Sequence, residues 1–312
     1  MAYVNTKYIL EKASKEFYAV GAFNFNNLEF LQPILEAAEE KKSPVIIETS
    51  EGAIKYAGNG DFFRGARLFV NMVREYADYM SVPVALHLDH GQNFEVIMAC
   101  IKAGYSSIMI DDSHSSFEKN MATTKEIVKI AHAAGISVEA ELGQLAGIED
   151  NIIAEHNVLV VPEEAKEFVE TTQVDFLAPA IGTSHGAFKF KGEAKLDYDR
   201  LKKVKELTGI PLVLHGASSV VERMVDIAEK YGADFGGSKG VPTDVLKETV
   251  KLGINKVNTD TDLRMAYVAG LREFLTNTPK EFDPRKYYST AKKYVKELVE
   301  ERMDILGSSN KA

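Results

Sequence analysis

Eight short apolar runs, each followed by a stretch with helical periodicity, constrain the fold of this chain more than any other feature. The runs are FYAVGAFNF (17–25), PVIIETS (44–50), PVALHLDH (83–90), SIMIDDS (107–113), SVEAELG (137–143), FLAPAIGTSH (176–185), PLVLHGAS (211–218) and INKVNTDT (254–261). Their near-continuous apolar, β-branched character predicts strands buried on both faces, as in a parallel sheet. Amphipathic stretches lie between them, among them 27–41, 62–80, 93–103, 116–134, 198–208 and 220–231. Helix-start residues open several of these, for example Asn27. Gly104, Gly135, Gly209 and Gly253 stand just before the next run, where a residue tolerant of positive φ stops a helix. Eight such units in 312 residues predict a closed (β/α)8 barrel, a TIM barrel formed as one domain over 1–312. The rival architecture is an open doubly wound sheet, but its glycine-rich phosphate turn is absent after the first run. Residues 284–305 predict an extra C-terminal helix, placed on the barrel's outer wall or against another subunit.

Composition narrows the class. Hydrophobic residues make up 45% and charged residues 27%, enough for a sizeable core and too apolar for wholesale disorder. No apolar run approaches the ~20 residues of a membrane span. The start, MAYVNTKYILEKASKEF, lacks the apolar segment of a signal peptide. Cys100 is the one cysteine, which excludes an intrachain disulfide and a thiolate metal cluster. Within VIMACIKAG it reads as a small buried residue. These features predict a cytoplasmic protein. The net charge of −9 argues against nucleic acid as a partner. It leaves room for a phosphorylated metabolite, which needs only a local nest of N–H groups and one or two cations.

Polar residues gather at the carboxyl ends of the runs. The third ends in Asp89-His90-Gly91, the fourth in Asp111-Asp112-Ser113 and the fifth in Glu139-Ala140-Glu141. The sixth ends in Gly182-Thr183-Ser184-His185-Gly186, the seventh in His215-Gly216-Ala217-Ser218-Ser219 and the eighth in Asn258-Thr259-Asp260-Thr261-Asp262. In a parallel barrel these ends meet on the rim that carries chemistry. Of seven histidines, His90, His185 and His215 lie at three different ends. Three imidazoles on one rim suit a catalytic Zn2+ that keeps a position open, and spacing alone also allows three independent hydrogen-bonding histidines. His87, three residues before His90, reads as a satisfied core histidine, and His114 as a surface one. His132 and His156 have no obvious partner.

Asp89 is placed to act as an acid/base or to orient the first ligand, or simply to cap the next helix. Asp111 and Glu141 suit a second metal position or helix capping. Around GTSHGAFK and HGASS, small residues let backbone N–H groups approach a phosphate. Lys189 and Arg264 are cations that could neutralise the two ends of a bisphosphate, or simply face solvent.

Taken together, HLDHG, EAELG, GTSHGAFK, LHGAS and NTDTDLR resemble, in order and spacing, the class II fructose-bisphosphate aldolases, most closely the longer-chain subgroup. The likeness runs from GAFNFNN to beyond NTDTDLR. It implies reversible cleavage of fructose 1,6-bisphosphate to dihydroxyacetone phosphate and glyceraldehyde 3-phosphate, with Zn2+ as the Lewis acid that stabilises the enediolate. His90, His185 and His215 then look like the zinc ligands, and Asp111 and Glu141 like ligands of a second position. Asp89 looks like the acid/base for the C4 hydroxyl. Glu149 looks like the loop carboxylate that handles the C3 proton, although Ile148 stands where relatives carry a second glutamate. Gly186, Gly216, Ala217 and Ser218 look like a phosphate cradle that works with a monovalent cation, Na+ or K+. Asn258, Thr259, Asp260 and Thr261 look like the grip on the same half of the substrate. Ser50 matches a position at the glyceraldehyde phosphate end. The resemblance also implies a homodimer or homotetramer, working in glycolysis and gluconeogenesis.

Other chemistries stay in play at this stage. A Schiff-base aldolase would need Lys256, the one lysine well inside a run, and would leave the histidines unexplained. A tagatose-bisphosphate aldolase differs only at C4, and the Asp260/Arg264 pair favours the fructose type. A metal-dependent hydrolase or a sugar-phosphate sensor could use the same barrel.

Overall fold

The computed structural model describes residues 2–144, 158–184, 196–235 and 238–312, with the backbone alone of 146–149, 152–154 and 185. Eight parallel strands close into a barrel: β1 (Val20–Asn24), β2 (Val45–Ser50), β3 (Val84–Gly91), β4 (Ser107–Ile110), β5 (Ser137–Leu142), β6 (Phe176–Pro179), β7 (Leu212–Leu214) and β8 (Ile254–Thr259). Each pairs with its neighbours in sequence, and β8 closes on β1 with Val20 opposite Lys256 and Phe23 opposite Thr259. The connecting helices start where side chains can cap them. Asn27, Asp61, Asn93, Ser116 and Asp197 each accept a backbone N–H of the first turn. Gly104, Gly135, Gly209 and Gly253 all take positive φ, as their place before a strand predicts.

Several runs end earlier as strands than their sequence suggests, the sixth and seventh most of all. β6 stops at Pro179, and Gly182 then turns the chain with φ 110°. Ser184–His185 pairs instead with Ala146–Gly147, in a small sheet that also holds Ile152–Ala154. β7 stops at Leu214, just before Gly216 at φ 59°. The polar ends of both runs therefore leave the barrel sheet.

Side-chain alternation sorts the strands into two cores. Outward residues such as Ile47, Leu86, Ile108, Val138 and Leu212 pack under the helices. Inward residues Val20, Ala22, Ile46, Ala85, Phe176 and Val213 meet Ile9, Leu10 and Ala13 of the N-terminal helix Thr6–Lys15, which plugs the amino end of the barrel. The C-terminal segment folds as Pro284–Tyr287 and Ser289–Leu306, interrupted at Tyr288. The longer helix lies on this barrel's own wall, against Leu28–Lys41 and Thr261–Asn277, and buries Val295, Leu298, Val299, Met303 and Leu306. No described helix is long and apolar enough to cross a membrane.

Candidate active site

Above the apolar plug the inward positions change character. Glu48, His87, Glu139 and Lys256 form a layer with no exposure to solvent. Lys256 Nζ lies 2.6 Å from Glu48 Oε1 and 2.9 Å from Glu139 Oε2. Burial pushes its ammonium down, but the charge of Glu139 and the bond to Glu48 outweigh this and hold Lys256 above the ordinary lysine range. A Schiff-base nucleophile needs the neutral amine, so Lys256 is unsuited to that chemistry. Its two glutamates differ. Burial raises Glu48 well above the usual carboxylate range. Burial also opposes the charge on Glu139, yet Lys256, His215 and His87 together bring it well below that range. His87, read as a core histidine, bonds Ser107 Oγ at 2.7 Å through Nδ1, with Nε2 3.3 Å from Glu139.

One step higher, β3 sets two adjacent side chains at the barrel mouth. Alternation from Ala85 and His87 carries Asp89 inward and would send His90 outward. Between Leu88 and Gly91, however, β3 holds one residue more than the facing Ile108–Ile110 of β4. This bulge, with His90 at φ 47°, re-aims the ring. Its Nε2 lies 3.9 Å from Asp89 Oδ1. A left-handed non-glycine residue is costly and needs support. Here His90 Nδ1 is 2.8 Å from Asp111 Oδ2, and Asp111 Oδ1 accepts from Ser113 N and Oγ. Burial raises the Asp111 carboxyl, but bonds from His90 and Ser113 bring it well below the ordinary range. Asp89 is fixed at both oxygens: Asn24 Nδ2 donates to Oδ2 at 2.8 Å and Asn258 Nδ2 to Oδ1 at 3.0 Å.

The histidine pair suits a cation. His215 Nε2 is 2.6 Å from Glu139 Oε1, as His90 Nδ1 is close to Asp111. Ionised carboxylates only accept, so both of these nitrogens carry the N–H. Burial and the nearby His90 keep His215 below the ordinary histidine value and therefore neutral. The remaining nitrogens, His90 Nε2 and His215 Nδ1, face each other across 2.8 Å. Two ring nitrogens this close need a positive charge between them, a shared proton or a metal ion, and imidazoles backed by carboxylates are the usual setting for a divalent metal. Asp89, His90 and His215 offer three ligand atoms within 4.8 Å of one another, and His90, Asp111 and Glu141 form a second such group.

Other sequence candidates follow the same strand ends. Gly216, Ala217 and Ser218 follow His215, and a Cβ on Gly216 would come 2.5 Å from the Ser184 carbonyl oxygen. Thr259 is buried. Asp260 and Thr261 lead into the helix Thr261–Asn277, where Arg264 Nε donates to Asp260 Oδ1 at 2.7 Å. Ser50 stands beside Asp89 in register and caps the helix Glu51–Ala57 through Ala53 N. His185 and Glu149 lie on the small sheet by their backbones, and their side chains are outside the described residues, as are Gly186, Lys189 and His156. His132, which sequence left without a partner, bonds Asp175 at 2.8 Å, and Lys7 bonds the same carboxylate at 2.9 Å, at the far end of the barrel. His114 is exposed and Cys100 buried, as read from sequence.

Residues 4–311 match the family model described as fructose-bisphosphate aldolase class-II. The chain belongs to the class II fructose-bisphosphate aldolase family. It is 55% identical to a fructose-bisphosphate aldolase of Helicobacter pylori over 97% of both chains. With that of Thermus caldophilus it shares 50% identity, over 97% of this chain and 98% of the relative. Among solved structures, the YdjI aldolase of Escherichia coli K12 superposes with a TM-score of 0.79 at 34% identity, covering 99% of each chain. The family depends on a metal ion. Its tagatose-type and hydrolase alternatives find no support here.

Sequence reading missed three residues of this aldolase's site: Asn24, Glu48 and the role of Glu139. A signal was present. Glu48 and Lys256 each interrupt an apolar run at an inward position, and a charge placed there must find a partner.

Proposed function

We propose that this aldolase reversibly cleaves fructose 1,6-bisphosphate to dihydroxyacetone phosphate and glyceraldehyde 3-phosphate with Zn2+ at the His90–His215 point. The convergence of Asp89, His90 and His215, with a carboxylate behind each imidazole, is the observation that carries this reading. His90, His215 and His185 would hold the ion, with Asp111 and Glu141 as a second position. Bound there, Zn2+ supplies Lewis-acid polarisation of the ketose carbonyl.

The chain's own groups do the rest. Asp89 takes the C4 hydroxyl proton as the C3–C4 bond breaks. Its aim is set from below. Lys256 donates to Asn258 Oδ1 at 2.7 Å, which leaves Asn258 only its NH2 group to offer Asp89. Glu149, carried on the hairpin strand, exchanges the proton at C3. Backbone N–H groups of Gly186, Gly216, Ala217 and Ser218 cradle one phosphate beside Na+ or K+, and Lys189 neutralises it. Asn258, Thr259, Asp260 and Thr261 grip the dihydroxyacetone half, and Ser50 and Arg264 meet the far phosphate. We infer a homodimer or homotetramer in the cytoplasm, with sugar phosphates as its partners and neither nucleic acid nor membrane.

Removing the metal with a chelator should abolish triose phosphate formation, and Zn2+ should restore it without release of inorganic phosphate. Activity that survives verified metal removal, or phosphate release, would overturn the mechanism. A higher kcat/KM for tagatose than for fructose bisphosphate would overturn the choice of substrate.

A further inference from the structure

We propose that Arg302, on the C-terminal helix outside the barrel, is a positioning residue for the phosphate cradle, acting through Asp262. The inference rests on the reading of Gly216, Ala217 and Ser218 as that cradle. The segment after the cradle is strained. Val220 is β-branched and sits at φ 52°, a left-handed conformation such residues avoid. Asp262 holds it there: Oδ2 accepts from Ser219 N at 2.8 Å and Oδ1 from Val220 N at 2.6 Å. Arg302 Nη2 donates to Asp262 Oδ2 at 2.6 Å, and both terminal nitrogens reach Ser219 Oγ, at 3.2 and 3.1 Å. A second brace runs from Val241 N to Ser218 O at 3.0 Å.

The side chains of this pair are 3% and 0% exposed. Apolar residues of similar volume usually stabilise such a position as well or better, so stability gives little reason for the pair. Placement does. Asp262 alone could accept both N–H groups, but a buried carboxylate without a partner would leave for water. Arg302 holds it in place. The turn that aims the cradle's N–H groups then exists before any phosphate arrives, and binding is not taxed by the fraction of molecules in which it has relaxed.

The test compares Arg302→Met, Arg302→Lys and the double variant Asp262→Leu with Arg302→Met, which leaves no stray charge should the single Met variant fail to fold. The readouts are KM and kcat for fructose 1,6-bisphosphate, the Ki of inorganic phosphate, and Zn2+ affinity by titration. Arg302→Met and the double variant should raise KM and the phosphate Ki about tenfold, the effect of a cradle formed in roughly a tenth of molecules. Zn2+ affinity and kcat should hold, and Lys should restore part of the loss. Unchanged KM and Ki in a folded variant would overturn the proposal. So would a joint fall in kcat and bound zinc at constant KM, which marks a purely structural role. Ala217→Pro, which removes one of the cradle's N–H groups, tests the cradle separately: if a folded variant leaves the phosphate Ki unchanged, the cradle reading fails and takes this inference with it.

Discussion

His87 shows how far burial can move a single group. Desolvation, helped by the charge of Lys256 and opposed by Glu139, brings its ring down to about 4 from an ordinary 6.5. In the unfolded chain the imidazole takes a proton near pH 6.5, while in the folded chain it stays neutral until about pH 4. Its contribution is therefore complete above pH 6.5 and lost as pH falls through this window. The loss is on the order of a few kcal/mol. Thermal melts between pH 7 and 4 should fall more steeply for the wild type than for His87→Gln, which has no titrating ring. Parallel curves would sink the argument. The same layer explains Lys256. A lysine in an apolar run looks like a nucleophile in sequence, and it is the two glutamates from β2 and β5 that make it a fixed cation.

Among the elements, the loops decide the site. The β3 bulge turns His90 toward Asp89, and the early end of β7 frees His215 and the glycine after it. Gly216 is a tight joint, because its φ is positive and its missing Cβ makes room for the Ser184 carbonyl. Gly216→Ala should cost about 1–2 kcal/mol for the left-handed backbone alone, and more for parting the two loops. The expected result is a lower melting temperature together with a higher KM. A variant with wild-type KM would show that the close approach is dispensable.

For the whole molecule, the C-terminal helix is part of the core. Val295, Leu298, Val299, Met303 and Leu306 are buried against the barrel's helices. At ~1.5–3 kcal/mol for each large apolar side chain, their loss approaches the ~5–15 kcal/mol that holds a typical domain together. A chain ending at residue 288 should lose its cooperative thermal transition, and a sharp melt near the wild-type temperature would contradict this placement. The barrel thus depends on a segment that its eight strands do not include.

Much of this was legible in the sequence for a local reason. Strand and helix alternation, glycine stops and the polar ends of the runs depend on periodicity and backbone preference, which neighbouring residues express directly. They suffice for the barrel, its rim and the motifs of the aldolase family. The tertiary structure decided what depends on registers between distant strands. It brought Glu139 behind His215, Asp111 behind His90, and Asn24 and Asn258 onto Asp89. It also brought Arg302 across to Asp262. Those partners lie tens to well over a hundred residues apart. Only closure of the barrel and docking of its last helix determine which buried charge meets which.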